Sequence, residues 1–134
     1  MPPSASFAYL LANAVYLQGR YDEAETLTRE CETACRANDV HSHIMWRATR
    51  AKALARRGRV EEAKELAREA VAYGSSSDFL SARGDSCMDL AEVLEIDGDL
   101  RGMTAAVEDA IALYELKGNV LAAGQARSRL QALV

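Results

Sequence analysis

Apolar residues recur every three or four positions along most of the chain, a spacing that places them on one face of an α-helix. Glycine, or an Asn or Asp that can cap a helix, separates successive apolar segments. The first segment predicts a helix that begins after Ser4 or Ser6 and runs to about Gln18. Its apolar residues are Phe7, Leu10, Leu11, Ala14 and Val15.

The same pattern predicts six further helices. The second stops near residue 38, the third spans about 41–57, the fifth about 79–96 and the last about 120–133. Alanine is abundant, and both prolines lie at positions 2 and 3, so the composition favours helix throughout. We therefore expect an all-α fold.

Three glycine turns repeat along the chain at intervals of 39 and 40 residues. The first two, Gly19–Ala24 and Gly58–Ala63, are near copies that begin with Gly-Arg and end with Glu-Ala. The third begins at Gly98 and has Met103 in place of the alanine, so we expect it to be the least regular. A fixed period of this length is typical of a solenoid. The period predicts a single domain of three antiparallel helix pairs and a lone capping helix, with bounds of about 5–38, 39–77, 78–118 and 119–134.

These turns resemble those of the tetratricopeptide repeat (TPR). In that family a glycine is followed two residues on by an aromatic or apolar residue, and then by an alanine that opens the second helix. Ala12, Ala51 and Ala91 match the small-residue position that lies seven residues before each glycine. The resemblance covers nearly the whole chain. It implies a right-handed α-α superhelix that binds proteins or peptides without catalysis.

The chain departs from the TPR pattern in several features. Its period is 39 or 40 residues rather than the family's 34, and no proline closes a unit. Arg50 occupies a site that is apolar at Leu11 and Leu90. These longer repeats resemble the C-terminal helical tails of large bacterial signalling proteins, such as nucleotidyl cyclases and LuxR-type regulators. That resemblance implies a regulatory tail or a stand-alone relative of one.

The charge and the cysteines narrow the class of protein. The formal net charge of −4 argues against a nucleic-acid partner. No stretch reaches the length of a membrane span. A signal peptide requires a positively charged N-terminal region, but no Lys or Arg precedes Arg20. We therefore expect a cytoplasmic protein with no membrane partner. Its three cysteines, Cys31, Cys35 and Cys87, are then expected to be reduced.

Cys31 and Cys35, with His41 and His43 soon after, suggest a metal site as one interpretation. Buried thiols followed by two polar residues are the simpler one, because structural zinc cysteines usually lie closer together on a turn. No glycine-rich phosphate loop and no nucleophile-and-base motif is present. We therefore expect neither an enzyme nor a cofactor.

Charges are unevenly divided between the third and fifth predicted helices. Between His41 and Arg59 there are six basic residues and no acid, namely Arg47, Arg50, Lys52, Arg56, Arg57 and Arg59. Between Asp85 and Asp99 there are six acids and no base, namely Asp85, Asp89, Glu92, Glu95, Asp97 and Asp99. The TPR resemblance implies that these helices line a concave face.

We predict a partner-binding groove on that face. Lys52 and Arg56 would hold an acidic segment or a C-terminal carboxylate of a protein partner. Tyr9, Asn13 and Tyr16, on one face of the first helix, would bind the partner's backbone. The alternative is that the two charged faces are solvated and attract each other across the stack.

A second function stays open beside peptide binding. The chain could instead be a structural or self-association module, such as a homodimer or the tail of a larger signalling protein. Exposed apolar residues on the end helices, such as Phe7, Leu121 or Val134, would favour self-association.

Overall fold

The computed structural model describes residues 4–132, which form seven α-helices joined by short turns. The helices are α1 (Ala5–Leu17), α2 (Tyr21–Ala34), α3 (Val40–Arg56), α4 (Val60–Gly74), α5 (Leu80–Asp97), α6 (Leu100–Lys117) and α7 (Val120–Gln131). The expected all-α fold is confirmed for these residues. The predicted end of the last helix near residue 133, and Val134, lie outside the described residues.

Four turns in the chain share one geometry. Each has a glycine with a φ angle between 81° and 86°, at Gly19, Gly58, Gly98 and Gly118. In each, the glycine N–H donates to the carbonyl three residues before it, and the next N–H donates to the carbonyl five residues before its own position. Glycine adopts this left-handed conformation without a Cβ penalty, so it ends the helix at these points.

The third turn is as regular as the first two, so the prediction that it would be the least regular is wrong. Met103 is fully buried in the place of the missing alanine. Asp99 compensates for the missing acidic residues, because its side chain accepts a hydrogen bond of 2.9 Å from the N–H of Gly102 and caps α6.

α2 ends at Ala34, four residues before the predicted end near Asn38. Cys35 has an extended backbone, with φ −77° and ψ 143°, which stops the helix. Asp39 then accepts a hydrogen bond of 3.2 Å from the N–H of Ser42 and caps α3.

Each helix contacts the next one along the chain, and α3 also contacts both α1 and α5. α3 is therefore enclosed by neighbours, and eleven of its 17 residues are buried. Small residues lie where helices approach closely: Ala51, fully buried, packs with Ala63 and Ala67 of α4. At Gly84 of α5 an added Cβ would lie 2.5 Å from the ring of Tyr114 in α6.

Candidate functional site

The basic residues of α3, with Arg57 just after it, make ion pairs with three neighbouring helices. Arg47 pairs with a carboxylate of α4. Arg50 and Arg57 make ion pairs with carboxylates of α2. Lys52 and Arg56 make ion pairs with carboxylates of α5. Lys52 and Arg56 are the two basic residues that the sequence predicts for partner binding, so the α3–α5 contact is the candidate site.

Lys52 and Asp89 form the inner ion pair of this contact. The Nζ of Lys52 lies 3.0 Å from Oδ1 of Asp89 and 4.9 Å from the ring centre of Tyr16. The Lys52 side chain is only 8% exposed, and that of Asp89 is 21% exposed. Burial raises the pKa of Asp89 against the opposing effect of Lys52, and the nearby carboxylates of Glu92 and Asp85 raise it further.

Tyr16, Arg56 and Glu92 form the outer part of the contact. The Tyr16 hydroxyl donates a hydrogen bond to Glu92 and accepts one of 3.1 Å from Nε of Arg56. A second Arg56 nitrogen lies 3.6 Å from the same Glu92 carboxylate. Burial raises the pKa of Tyr16, so its hydroxyl stays protonated and can donate. The Arg56 side chain is 41% exposed and is therefore accessible to a partner.

The acids of α5 continue beyond this contact. Asp85, Asp89 and Glu92 follow one another at spacings of four and three, so they share one face of α5, which we call the acidic row. Asp85 is exposed at one end of the row. Its Oδ1 accepts a hydrogen bond of 2.5 Å from the Tyr114 hydroxyl of α6, and burial raises the pKa of Tyr114.

On the other side of α3, Arg50 explains how a charge can occupy a site that is apolar in the other units. Its Nε donates a hydrogen bond of 3.0 Å to the buried hydroxyl of Thr28, and another guanidinium nitrogen lies 2.7 Å from Glu32. The guanidinium also lies 4.5 Å from the ring centre of Trp46. The buried charge is thus hydrogen-bonded and stacked, as burial of an arginine requires.

The structure brings together three of the five predicted partner-binding residues. Tyr16, Lys52 and Arg56 belong to one network with the acidic row. Asn13 is half-buried one turn before Tyr16 and takes part in none of these contacts. Tyr9 lies towards the other end of α1, where its ring centre is 5.3 Å from that of His41.

The four residues considered for a metal site make separate contacts. Sγ of Cys31 lies 3.9 Å from the carbonyl oxygen of Ser42, and burial raises its pKa to about 12. Sγ of Cys35 lies 3.5 Å from Nε2 of His43, whereas His41 packs against an aromatic ring. Within residues 4–132, no group of three or more His, Cys, Asp or Glu side chains is arranged to hold a metal ion.

The sequence pattern identified the charged helices but did not pair their residues. Asp89 and Glu92, the partners of Lys52 and Arg56, were recognised only as two of the six acids between Asp85 and Asp99. When the repeats are aligned on Gly58 and Gly98, Lys52 corresponds to position 92 and Arg56 to position 96. Asp89 and Glu92 lie three and four residues before these positions, which is about one helical turn. That offset is a usable indication, because helices stacked side by side bring such positions together.

A scan of the chain against protein-family models finds no match, and no curated protein matches it. In the part of the chain that the structure describes, no helix is both long and apolar enough to cross a membrane. The function must therefore be inferred from the residues of the chain itself.

Proposed function

We propose that the chain is a TPR-like right-handed α-α superhelix of three antiparallel helix pairs, capped by α7, that binds a protein or peptide without catalysis. Contacts of α3 with both α1 and α5 support this arrangement, since they place the first helices of the pairs side by side. The shared geometry of the three turns at Gly19, Gly58 and Gly98 supports a repeated unit. The three free thiols support a cytoplasmic location.

The proposed binding surface is the layer formed by α1, α3 and α5, and Arg56 is its centre. Its side chain is 41% exposed, and its Nε donates a hydrogen bond to the hydroxyl of the buried residue Tyr16; this is the observation that carries the proposal. The separation of 3.6 Å from Glu92 leaves this cation weakly paired, so it can bind a second carboxylate. Asn13, half-buried on the same layer, supplies an amide for the partner's backbone.

Lys52 has a different role in this proposal. It is nearly buried and already bound to Asp89, so it positions the contact between α3 and α5 rather than touching the partner. The partner is expected to present an acidic side chain or a C-terminal carboxylate to Arg56. Exposed Asp85, at the far end of the acidic row, would repel a second acid and so fixes which end of the partner enters.

A peptide array tests the proposal directly. Fluorescein-labelled protein is applied to peptides with free C-terminal carboxylates and to the same peptides with amidated ends. We expect binding that depends on the carboxylate or on acidic side chains, and a loss of about tenfold in affinity for Arg56→Glu, because a charge-assisted hydrogen bond is replaced by repulsion. Changing Arg56 alone avoids leaving Asp89 buried without Lys52.

The matched control is Arg68→Glu, which makes the same charge change at an exposed position of α4. It should bind the array as the wild-type protein does. Equal binding by the Arg56→Glu variant, or no preference for acidic and carboxylate-ended peptides, would show that the binding site is elsewhere.

A further inference from the structure

α1 carries an apolar face that points away from the core. Phe7, Leu10 and Leu17 are 57%, 61% and 74% exposed, and Leu11 is 39% exposed. Phe7, Leu10, Ala14 and Leu17 follow at spacings of three, four and three, so they form one continuous stripe, which we call the α1 stripe. Leu11 lies beside it. No residue of α1 is charged.

Several of the corresponding positions in α3 and α5 are buried against neighbouring helices. One repeat along the chain, Phe7 corresponds to Trp46 and Ala14 to Ala53, and both are buried against α1 and α2. Two repeats along, Ala14 corresponds to Val93, which is buried among residues of α3 and α4. In α3 and α5, the face that corresponds to the α1 stripe is thus covered by other helices.

The lack of charge on the α1 stripe indicates what kind of helix would cover it. The inner docking faces are partly charged: Leu11 corresponds to Arg50, which is paired with α2, and Leu10 corresponds to Asp89, which is paired with α3. The α1 stripe is apolar throughout, so its best complement is another uncharged apolar face. We propose that this face is α1 of a second copy, so that two chains form a two-fold symmetric homodimer.

Other occupants fit less well. The outer side of α7, at the opposite end of the stack, is mostly polar: Leu121 is exposed, but so are Gly124, Gln125 and Ser128. A head-to-tail contact would therefore place polar groups on the stripe. A lipid surface is disfavoured because α1 contains no Lys or Arg to bind anionic headgroups, and the net charge of the chain is −4.

The size of the patch is suited to a dimer of moderate affinity. The three large side chains of the stripe, together with Leu11 beside it, present roughly 400 Å², at the size of the largest apolar patch on a typical monomer. Two copies would bury about 800 Å² from these four side chains, half of a standard interface. A groove between α1 and α2, lined by Val15, Leu27 and the polar side chains of Glu23 and Thr26, lies beside the stripe and supplies a rim.

Light scattering after size-exclusion chromatography tests the homodimer. The wild-type chain is measured over about 1 to 100 μM, a range that spans weak to moderate dimer affinities. The mass should rise from 14.6 kDa to twice that value and stop there. Leu10→Glu should keep the chain at 14.6 kDa throughout that range, because each copy would bury a carboxylate in an apolar contact.

Two further variants make the result specific. Leu17→Lys tests the other end of the stripe and should also give a monomer, whereas Leu121→Glu, an equally exposed apolar position on α7, should leave the dimer intact. Circular dichroism should show unchanged helix content in all three, since each position is exposed.

Several outcomes would overturn the proposal. A wild-type chain that stays at one chain mass over the whole range is not a dimer. A dimer that survives both stripe variants uses another surface. A mass that grows past two chains, or a dimer lost on Leu121→Glu, indicates head-to-tail stacking instead.

Discussion

Glu25 and Asp89 are two largely buried carboxylates that contact different sides of α3. Glu25, on α2, is 10% exposed and lies 2.7 Å from nitrogens of both Arg29 and Arg57. Asp89, on α5, is 21% exposed and lies 3.0 Å from Lys52. Although both are ion-paired, the pKa of Glu25 is lowered and that of Asp89 is raised.

The difference comes from the balance between burial and the cations that face each carboxylate. Burial would raise the pKa of Glu25, but Arg29 and Arg57 together outweigh it. Burial raises the pKa of Asp89 more than one lysine can offset, and Glu92 adds to the rise. An ion pair therefore does not by itself mean a stabilised charge, because the desolvation of the carboxylate can exceed the attraction.

Removing the single cation of Asp89 should have the largest effect. Lys52→Ala leaves the carboxylate buried without a partner, and we expect a loss of about 3 kcal/mol in the free energy of unfolding in urea. The loss is at the low end for a broken buried pair because Asp89 can take up a proton. Arg57→Ala, which leaves Glu25 with Arg29, should lose at most about 1 kcal/mol.

The double variant Lys52→Met/Asp89→Leu is the control for this prediction. It removes both charges and keeps apolar volume, so it should recover most of the stability that Lys52→Ala loses. A Lys52→Ala protein as stable as the Arg57→Ala protein would mean that the two sides of α3 do not differ.

An overpacked α3 tests the same contact through its geometry. Ala51 is fully buried in a cluster that includes Ala63 of α4 and Val93 of α5. Ala51→Leu should cost about 1–3 kcal/mol, because the leucine can be accommodated only by moving neighbouring helices. Ala72→Leu, at an exposed position of α4, is the control and should change little. An unchanged melting temperature for Ala51→Leu would place Ala51 outside the helix contact.

The smallest expected effect is a difference in pH dependence. Because the folded pKa of Glu25 is lowered from 4.5, its stabilising contribution is complete above pH 4.5 and is lost as the pH falls through the lowered pKa. Because the folded pKa of Asp89 is raised from 3.8, its contribution is complete below pH 3.8 and is lost as the pH rises through the raised pKa.

Urea unfolding between pH 3 and 7 measures both contributions when the wild-type protein is compared with Glu25→Gln and with Asp89→Asn. With rising pH, the stability of the wild type relative to Glu25→Gln should increase, and relative to Asp89→Asn it should decrease. Slopes of the same sign would remove the contrast between the two carboxylates.

Much of the fold could be predicted because its determinants are local. The positions of the glycine turns follow from the left-handed conformation, and the buried stripe of α3, with Ile44, Ala48 and Leu54, follows from helical spacing. The end of α2 was predicted four residues late. Residues 35–38 contain no glycine or proline that would indicate the extended backbone at Cys35.

The candidate site was predicted only in part. The sequence placed Lys52 and Arg56 together, because residues four apart share a face of a helix. It did not indicate that Lys52 is buried on Asp89, since that contact depends on which helices become neighbours. The two carboxylates with opposite pKa shifts are indistinguishable in the sequence for the same reason.

The sequence by itself determined the helices, their turns and the repeat, because hydrogen bonds within four residues and a positive φ at glycine need no distant partner. Only the tertiary structure decided which charges meet and which face of α1 is exposed. The α1 stripe shows this clearly: its residues have the spacing of a buried face, yet the residues that α1 buries are Ala5, Ala8, Ala12, Val15 and Tyr16. Burial and desolvation depend on neighbours far along the chain, and a helical period alone does not supply them.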